Sequence, residues 1–149
     1  MVSTLNPTTL TAPAVGQRAT RSRTVTVEDI ARFTAMTGDR NPVHYDPEVA
    51  AASRFRRIIV QGGVTTGLVN AVVAEDLPGP GSVFLETSWS YRAPVHPGDT
   101  ITATVEVLEA RADKPIWRLR TTITDQDGTV VVDGHALVWR DPVVAARRG

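Results

Sequence analysis

The chain has 149 residues, 42% hydrophobic and 21% charged, the size and composition of one soluble globular domain able to enclose a core. Basic and acidic residues balance to a formal net charge of +0, so no excess positive field exists to hold a nucleic-acid backbone or an anionic membrane. The lack of cysteine excludes disulfides, thiolate nucleophiles and thiolate metal sites, and no apolar run reaches the ~20 residues of a membrane helix.

The N-terminal stretch MVSTLNPTTLTAPAV has neither the basic flank nor the continuous apolar run of a secretory signal. Residues 1–15 are therefore expected to be a flexible lead-in, and the location cytoplasmic. Residues 18–25 read as an edge strand. Residues 26–37 read as a helix: Thr26 caps it, Asp29 completes a capping box and Gly38 ends it. Val27, Ile30 and Phe33 share its apolar face. The segment GDRNPVH is held as a loop by Gly38 and Pro42, and a short helix follows with Asp46 as cap and Pro47 in its first turn.

Residues 62–77, GGVTTGLVNAVVAEDL, are apolar or small almost all round, with no charge before Glu75. Such a run is too long for most strands, and as a helix of ~24 Å it should be buried on most sides. The GPG of residues 79–81 reads as a turn. Beyond it, alternation places Val83, Leu85, Thr87, Trp89 and Tyr91 on one face of a strand. The pattern resumes with Ile101, Ala103, Val105 and Val107. Residues 115–125 and 129–139 then flank Asp127-Gly128, a hairpin signal. One buried helix followed by long antiparallel strands implies an α+β fold, a curled sheet wrapped around a long central helix. The domain is expected over residues 16–140, with a tail at 141–149.

Asp39 and His44 are the candidates for chemistry. They share a loop stiffened by Pro42 between two capped helices, and rigid flanks can aim a carboxylate and an imidazole at one water. A turn aspartate and a structural histidine are the plainer reading of the same pair. Asn41 can orient a neighbour or close the loop through its side chain. Gly62 opens the apolar helix, where N–H groups lack intrahelical acceptors and the dipole favours negative charge; its missing side chain admits a ligand. Gly63 serves either close approach or packing, and Gly67 suggests packing. Arg54, Arg56 and Arg57 form a cationic cluster suited to phosphates or an acidic protein surface, although a solvated helix end explains them equally. His96 and His135 have no companions, and no metal-ligand spacing is present.

Three stretches carry a family resemblance: FTAMTGDRNPVHYDPEVAA (33–51), IVQGGV (59–64) and LPGPGSVFLETSWSYRAPVHPGDTITATVEV (77–107). With the order of elements from Gly16 to Trp139, they resemble the MaoC-like, or (R)-specific enoyl-CoA hydratase, family. The resemblance implies a single hotdog fold and a hydratase/dehydratase acting on a 2-enoyl or (R)-3-hydroxyacyl thioester. It implies no prosthetic group, with coenzyme A entering only as part of the substrate. Asp39 and His44 would be the catalytic pair and the Gly62 amide the oxyanion donor. Asn41, Gln61 and Gly63 are the expected substrate-binding positions, and Gln61 stands where the family usually has histidine. An acyl-CoA or acyl-carrier-protein thioester is the expected partner, with a homodimer as the smallest assembly. A hotdog thioesterase and a non-catalytic thioester-binding protein are the competing readings.

Overall fold

Period-two alternation gives the sheet its two faces, and one face closes on a helix. The computed structural model describes residues 12–147 of the chain. Its strands are β1 (Arg18–Thr24), β2 (Ser82–Tyr91), β3 (Thr100–Ala110), β4 (Ile116–Thr124) and β5 (Val130–Arg140). They form one sheet in the order β1-β3-β4-β5-β2, with every neighbouring pair antiparallel. Ile101, Ala103, Val105 and Val107 of β3 all point inward and are buried, as are Leu119 and Ile123 of β4 and Ala136 and Val138 of β5. Burial of this kind stabilises by about 25 cal/mol per Å² of apolar surface.

The α-helices among the described residues are α1 (Val27–Thr37), α2 (Pro47–Ala52), α3 (Gly62–Ala71) and α4 (Pro142–Arg147), of which α3 packs on β1, β3 and β4 while α1 packs on α3. The capping box of α1 is complete, since Thr26 Oγ1 accepts from the Asp29 N–H and Asp29 Oδ2 accepts from the Thr26 N–H. Gly38 ends the helix at φ 80°, the left-handed conformation that suits glycine. The central helix runs as α3 and then widens into a π turn over Val72–Asp76. Val69, Val72, Val73 and Leu77 bury its inner face in the core. None of the helices in the described residues is long and apolar enough to cross a membrane.

Several details depart from the pattern in the sequence. Val27 is 66% exposed, so the inner face of α1 rests on Ile30 and half-buried Phe33. A β-bulge between Phe84 and Glu86 shifts the register of β2, and an extra residue reverses the facing of everything beyond it. Phe84 and Trp89 consequently pack on the core, while Val83 and Leu85 are exposed. A side chain on Gly67 would meet nothing within 4 Å, so packing inside the chain does not require that glycine. The central helix is less enclosed than its composition suggests: Val64, Leu68 and Ala71 remain half-buried.

The described parts of the two end segments make contacts with the domain. Residues 1–11 lie outside the described residues, but Pro13 is buried and its carbonyl accepts from Trp117 Nε1 at 3.0 Å. At the other end Asp141 Oδ1 accepts from Val143 and Val144 N–H, capping α4, and Ala145 is buried.

Candidate active site

Short polar side chains close the loop after α1 upon itself. Thr37 Oγ1 accepts from Asp39 N–H at 3.2 Å, Asp39 Oδ1 from Asn41 N–H at 3.0 Å, and Asn41 Oδ1 from Val43 N–H at 3.4 Å. Pro42 then starts a single 3₁₀ turn, Pro42–His44, with Asn41 as its cap. The competing conformers are removed by turn chemistry rather than by burial, since Asp39 is only partly covered.

This loop is bracketed to the segment before α3. Ile59 N–H donates to Val43 O at 3.3 Å, and His44 Nδ1–H donates to Ile59 O at 2.7 Å. On the far side Val60 N–H donates to Val95 O at 2.7 Å and His96 Nδ1–H to Ile58 O at 2.9 Å. His96 is therefore a strut. The four bonds fix where His44 stands relative to Gly62.

A carbonyl oxygen can only accept, so the proton of a neutral His44 resides on Nδ1 and the lone pair on Nε2 is free. Nε2 lies 3.8 Å from Asp39 Oδ2. That gap is too long for a direct hydrogen bond, yet two acceptors 3.8 Å apart can each hold the same water at about 2.8 Å. The His44 side chain is 10% exposed and that of Asp39 36%.

His44 and Gly62 line one cavity of about 370 Å³, together with Thr65, Tyr91 and Val132. Asp39 does not form part of its wall and meets it through the gap to Nε2. His44 also borders a second, largely apolar space of about 640 Å³ beside α1, lined by Ile30, Ala31, Ala35 and Ile58. Gly62 is the first residue of α3, so its N–H has no intrahelical acceptor, and no acidic side chain in that turn offsets the dipole. A Cβ there would sit 2.5 Å from Tyr91 Cε1 and 3.2 Å from the phenol oxygen. The glycine gives that ring its place. Tyr91 belongs to the site, but its contact with Gly62 requires the end of β2 to reach the start of α3, which no local pattern encodes.

Three expected substrate-binding positions also make contacts inside the chain. Gln61 is 1% exposed, and its Nε2 donates to Ile30 O and Thr34 Oγ1, both at 3.1 Å. Its side chain braces the start of α3 against α1 because two acceptors there compete successfully for the amide; Oε1 is buried with no partner among the described residues. A side chain on Gly63 would collide with the Phe33 ring, so this glycine permits α1 and α3 to approach. Asn41 closes its own loop and is absent from both cavity walls. Among the described residues, no group of three or more His, Cys, Asp or Glu is arranged to hold a metal ion.

Comparison with known proteins is consistent across sequence and structure. The family model described as "MaoC like domain" matches residues 9–127. The chain is 43% identical over 124 residues to an (R)-specific enoyl-CoA hydratase of Aeromonas caviae, covering 83% of this chain and 92% of that one. It is 39% identical over 124 residues to a 3-hydroxybutyryl-CoA dehydratase of Methylorubrum extorquens, covering 83% and 78%. The solved structure of the (R)-hydratase from A. caviae involved in PHA biosynthesis superposes with a TM-score of 0.84 at 40% identity, covering 88% of this chain and 99% of that one.

Proposed function

The chain belongs to the MaoC-like family, and from that premise we propose an acyl-thioester hydratase/dehydratase whose acid–base pair is Asp39 and His44 and whose oxyanion donor is the Gly62 amide. The lyase adds water across a 2-enoyl thioester, or removes it from the (R)-3-hydroxyacyl thioester. One observation carries the assignment of residues: the Ile59 carbonyl holds the proton of His44 on Nδ1 and leaves Nε2 open, 3.8 Å from Asp39 Oδ2.

In the hydration direction a water held between Nε2 and Oδ2 attacks Cβ. Nε2 takes one of its protons as the C–O bond forms, and the Asp39 carboxylate orients the water and faces the imidazolium. Charge displaced from the double bond collects on the thioester oxygen, where the free N–H at the start of α3 receives it; such a donor contributes about 10²–10³ in rate. The imidazolium then returns the proton to Cα, leaving hydroxyl on Cβ, hydrogen on Cα and His44 neutral. No prosthetic group takes part in this sequence; coenzyme A enters as the carrier of the acyl group. The half-buried Val64, Leu68 and Ala71 and the exposed Val83 and Leu85 support a homodimer as the working unit.

The test is loss of the conjugated thioester absorbance of crotonyl-CoA, with a thiol-reactive dye present in a parallel sample. Hydration bleaches the absorbance and releases no thiol. Thiol release at the rate of bleaching would identify a thioesterase and reject the proposal.

A further inference from the structure

Tyr91 stands in the wall of the cavity shared by His44 and Gly62, and the chemistry proposed so far leaves its hydroxyl unused. The residue closes β2, and its backbone is held in place. Tyr91 pairs with Val132 of β5, and the next N–H, that of Arg92, donates to Val131 O at 2.8 Å. A strand end tied down in this way can aim a side chain better than a free loop can.

The ring lies against the start of α3. A Cβ on Gly62 would stand 3.0 Å from Tyr91 Cζ and 3.2 Å from the phenol oxygen. Such a Cβ is about 2.5 Å from its own backbone nitrogen, so the phenol oxygen lies within about 5.7 Å of the Gly62 nitrogen. An oxygen bonded to an N–H and an O–H, each at about 3 Å, lets its two donors stand up to about 6 Å apart. The phenol and the Gly62 amide therefore meet the distance condition for sharing one acceptor.

Among the described residues, the Tyr91 hydroxyl has no hydrogen-bond partner. Thr65 carries the other hydroxyl in this wall, but it follows Gly62 within the helix. The free N–H of Gly62 points outward from the helix end, away from the residues that follow it.

We propose that the Tyr91 hydroxyl is a second hydrogen-bond donor to the thioester oxygen, acting beside the Gly62 amide. The proposal rests on the acyl-thioester reading above and adds a catalytic residue to it. As the water oxygen bonds to Cβ, the electron pair of the double bond moves through Cα onto the thioester oxygen. Two donors then share the charge that collects there. The phenol keeps its own proton throughout, because the proton delivered to Cα comes from His44. A neutral carbonyl draws less on such a donor than the developing oxyanion does, so the hydroxyl acts mainly on the transition state.

The experiment uses Tyr91→Phe, which removes one oxygen and keeps the ring against Gly62. With crotonyl-CoA, kcat should fall about 10²-fold, the cost of losing one oxyanion donor, while KM stays nearly unchanged. The melting temperature should match the wild type, because Tyr91 is 58% exposed and its hydroxyl holds no other group of the chain. Acetoacetyl-CoA supplies a readout that strand packing alone would not move. It has no double bond to hydrate, and its enolate, which places charge on the same thioester oxygen, has its own ultraviolet absorbance. Wild-type protein should raise the enolate fraction of the bound probe, and Tyr91→Phe should return it toward the value in free solution. A wild-type kcat in Tyr91→Phe overturns the proposal. A reduced kcat with the same enolate fraction in both proteins overturns it in favour of a packing role. Wild-type protein that fails to bleach crotonyl-CoA rejects the underlying lyase reading instead.

Discussion

A neutral imidazole offers a lone pair only on the nitrogen without the proton, and at His44 the Ile59 carbonyl decides which nitrogen that is. Asp39 is prepared in a different way: its Oδ1 is occupied by the Asn41 N–H, leaving Oδ2 to face Nε2. Each group is thus oriented by a backbone partner that substrate need not disturb. Asp39→Asn and His44→Ala should each lower kcat for crotonyl-CoA hydration by about 10²–10⁴, the usual contribution of a positioned acid or base. Far-ultraviolet circular dichroism should match the wild type, because neither side chain is buried in the core. Near-normal turnover by both variants would remove the pair from the mechanism. The aspartate–histidine spacing is visible in the sequence; the tautomer is not, because the carbonyl that sets it lies 15 residues away.

Among the elements, α1 carries the site's approach on a well-defined start. Asp29 completes its capping box and is buried, and Arg23 on β1 meets it at 2.5 Å. The hydrogen bond from Arg23 holds the Asp29 carboxyl below its ordinary range, against the opposing effect of burial. A depressed folded pKa stabilises above the unfolded carboxylate pKa, and that stabilisation disappears as pH falls through the lower folded value. Asp29→Asn should therefore cost about 1 kcal/mol in urea unfolding at neutral pH, and the difference should shrink toward zero in acid. A difference independent of pH would deny the carboxylate its role. Strand β2 depends on another single residue. A methyl group on Gly134 of β5 would strike the Ser88 carbonyl, so Gly134→Ala must push the two backbones apart. The expected cost is about 1–3 kcal/mol, read as a lower urea midpoint.

At the scale of the whole molecule, the sheet has two open edges and one of them is apolar. β2 is an edge strand of 10 residues on which Val83 and Leu85 are about half exposed, and α3 retains a half-buried apolar flank. An edge of this length leaves backbone N–H and C=O groups on either side of the Phe84–Glu86 bulge that tend to pair with another chain unless something covers them. For the proposed homodimer, light scattering should give twice the 16.1 kDa chain mass. Leu85→Asp should shift that mass to a single chain or weaken association by at least tenfold, the effect of burying an unpaired carboxylate. A wild-type mass of one chain would discard the dimer.

Local chemistry wrote much of this protein into its sequence. The capping box at Thr26 and Asp29, the proline-stiffened loop from Asp39 to His44 and the alternation from Ile101 to Val107 depend on residues a few positions apart, where periodicity and turn preferences act directly. The family resemblance added the pairing of that loop with Gly62. Tertiary structure decided the rest. The bulge in β2 exists only through pairing with β5, so the true facing of Trp89 could not be counted from its neighbours. Gln61 became a brace because Ile30 and Thr34, on a helix about 30 residues earlier, present acceptors to its amide. Tyr91 entered the site because Gly62 leaves its ring room. These contacts join segments far apart in the chain, and their geometry is set by the packing of whole elements, which local preference does not determine.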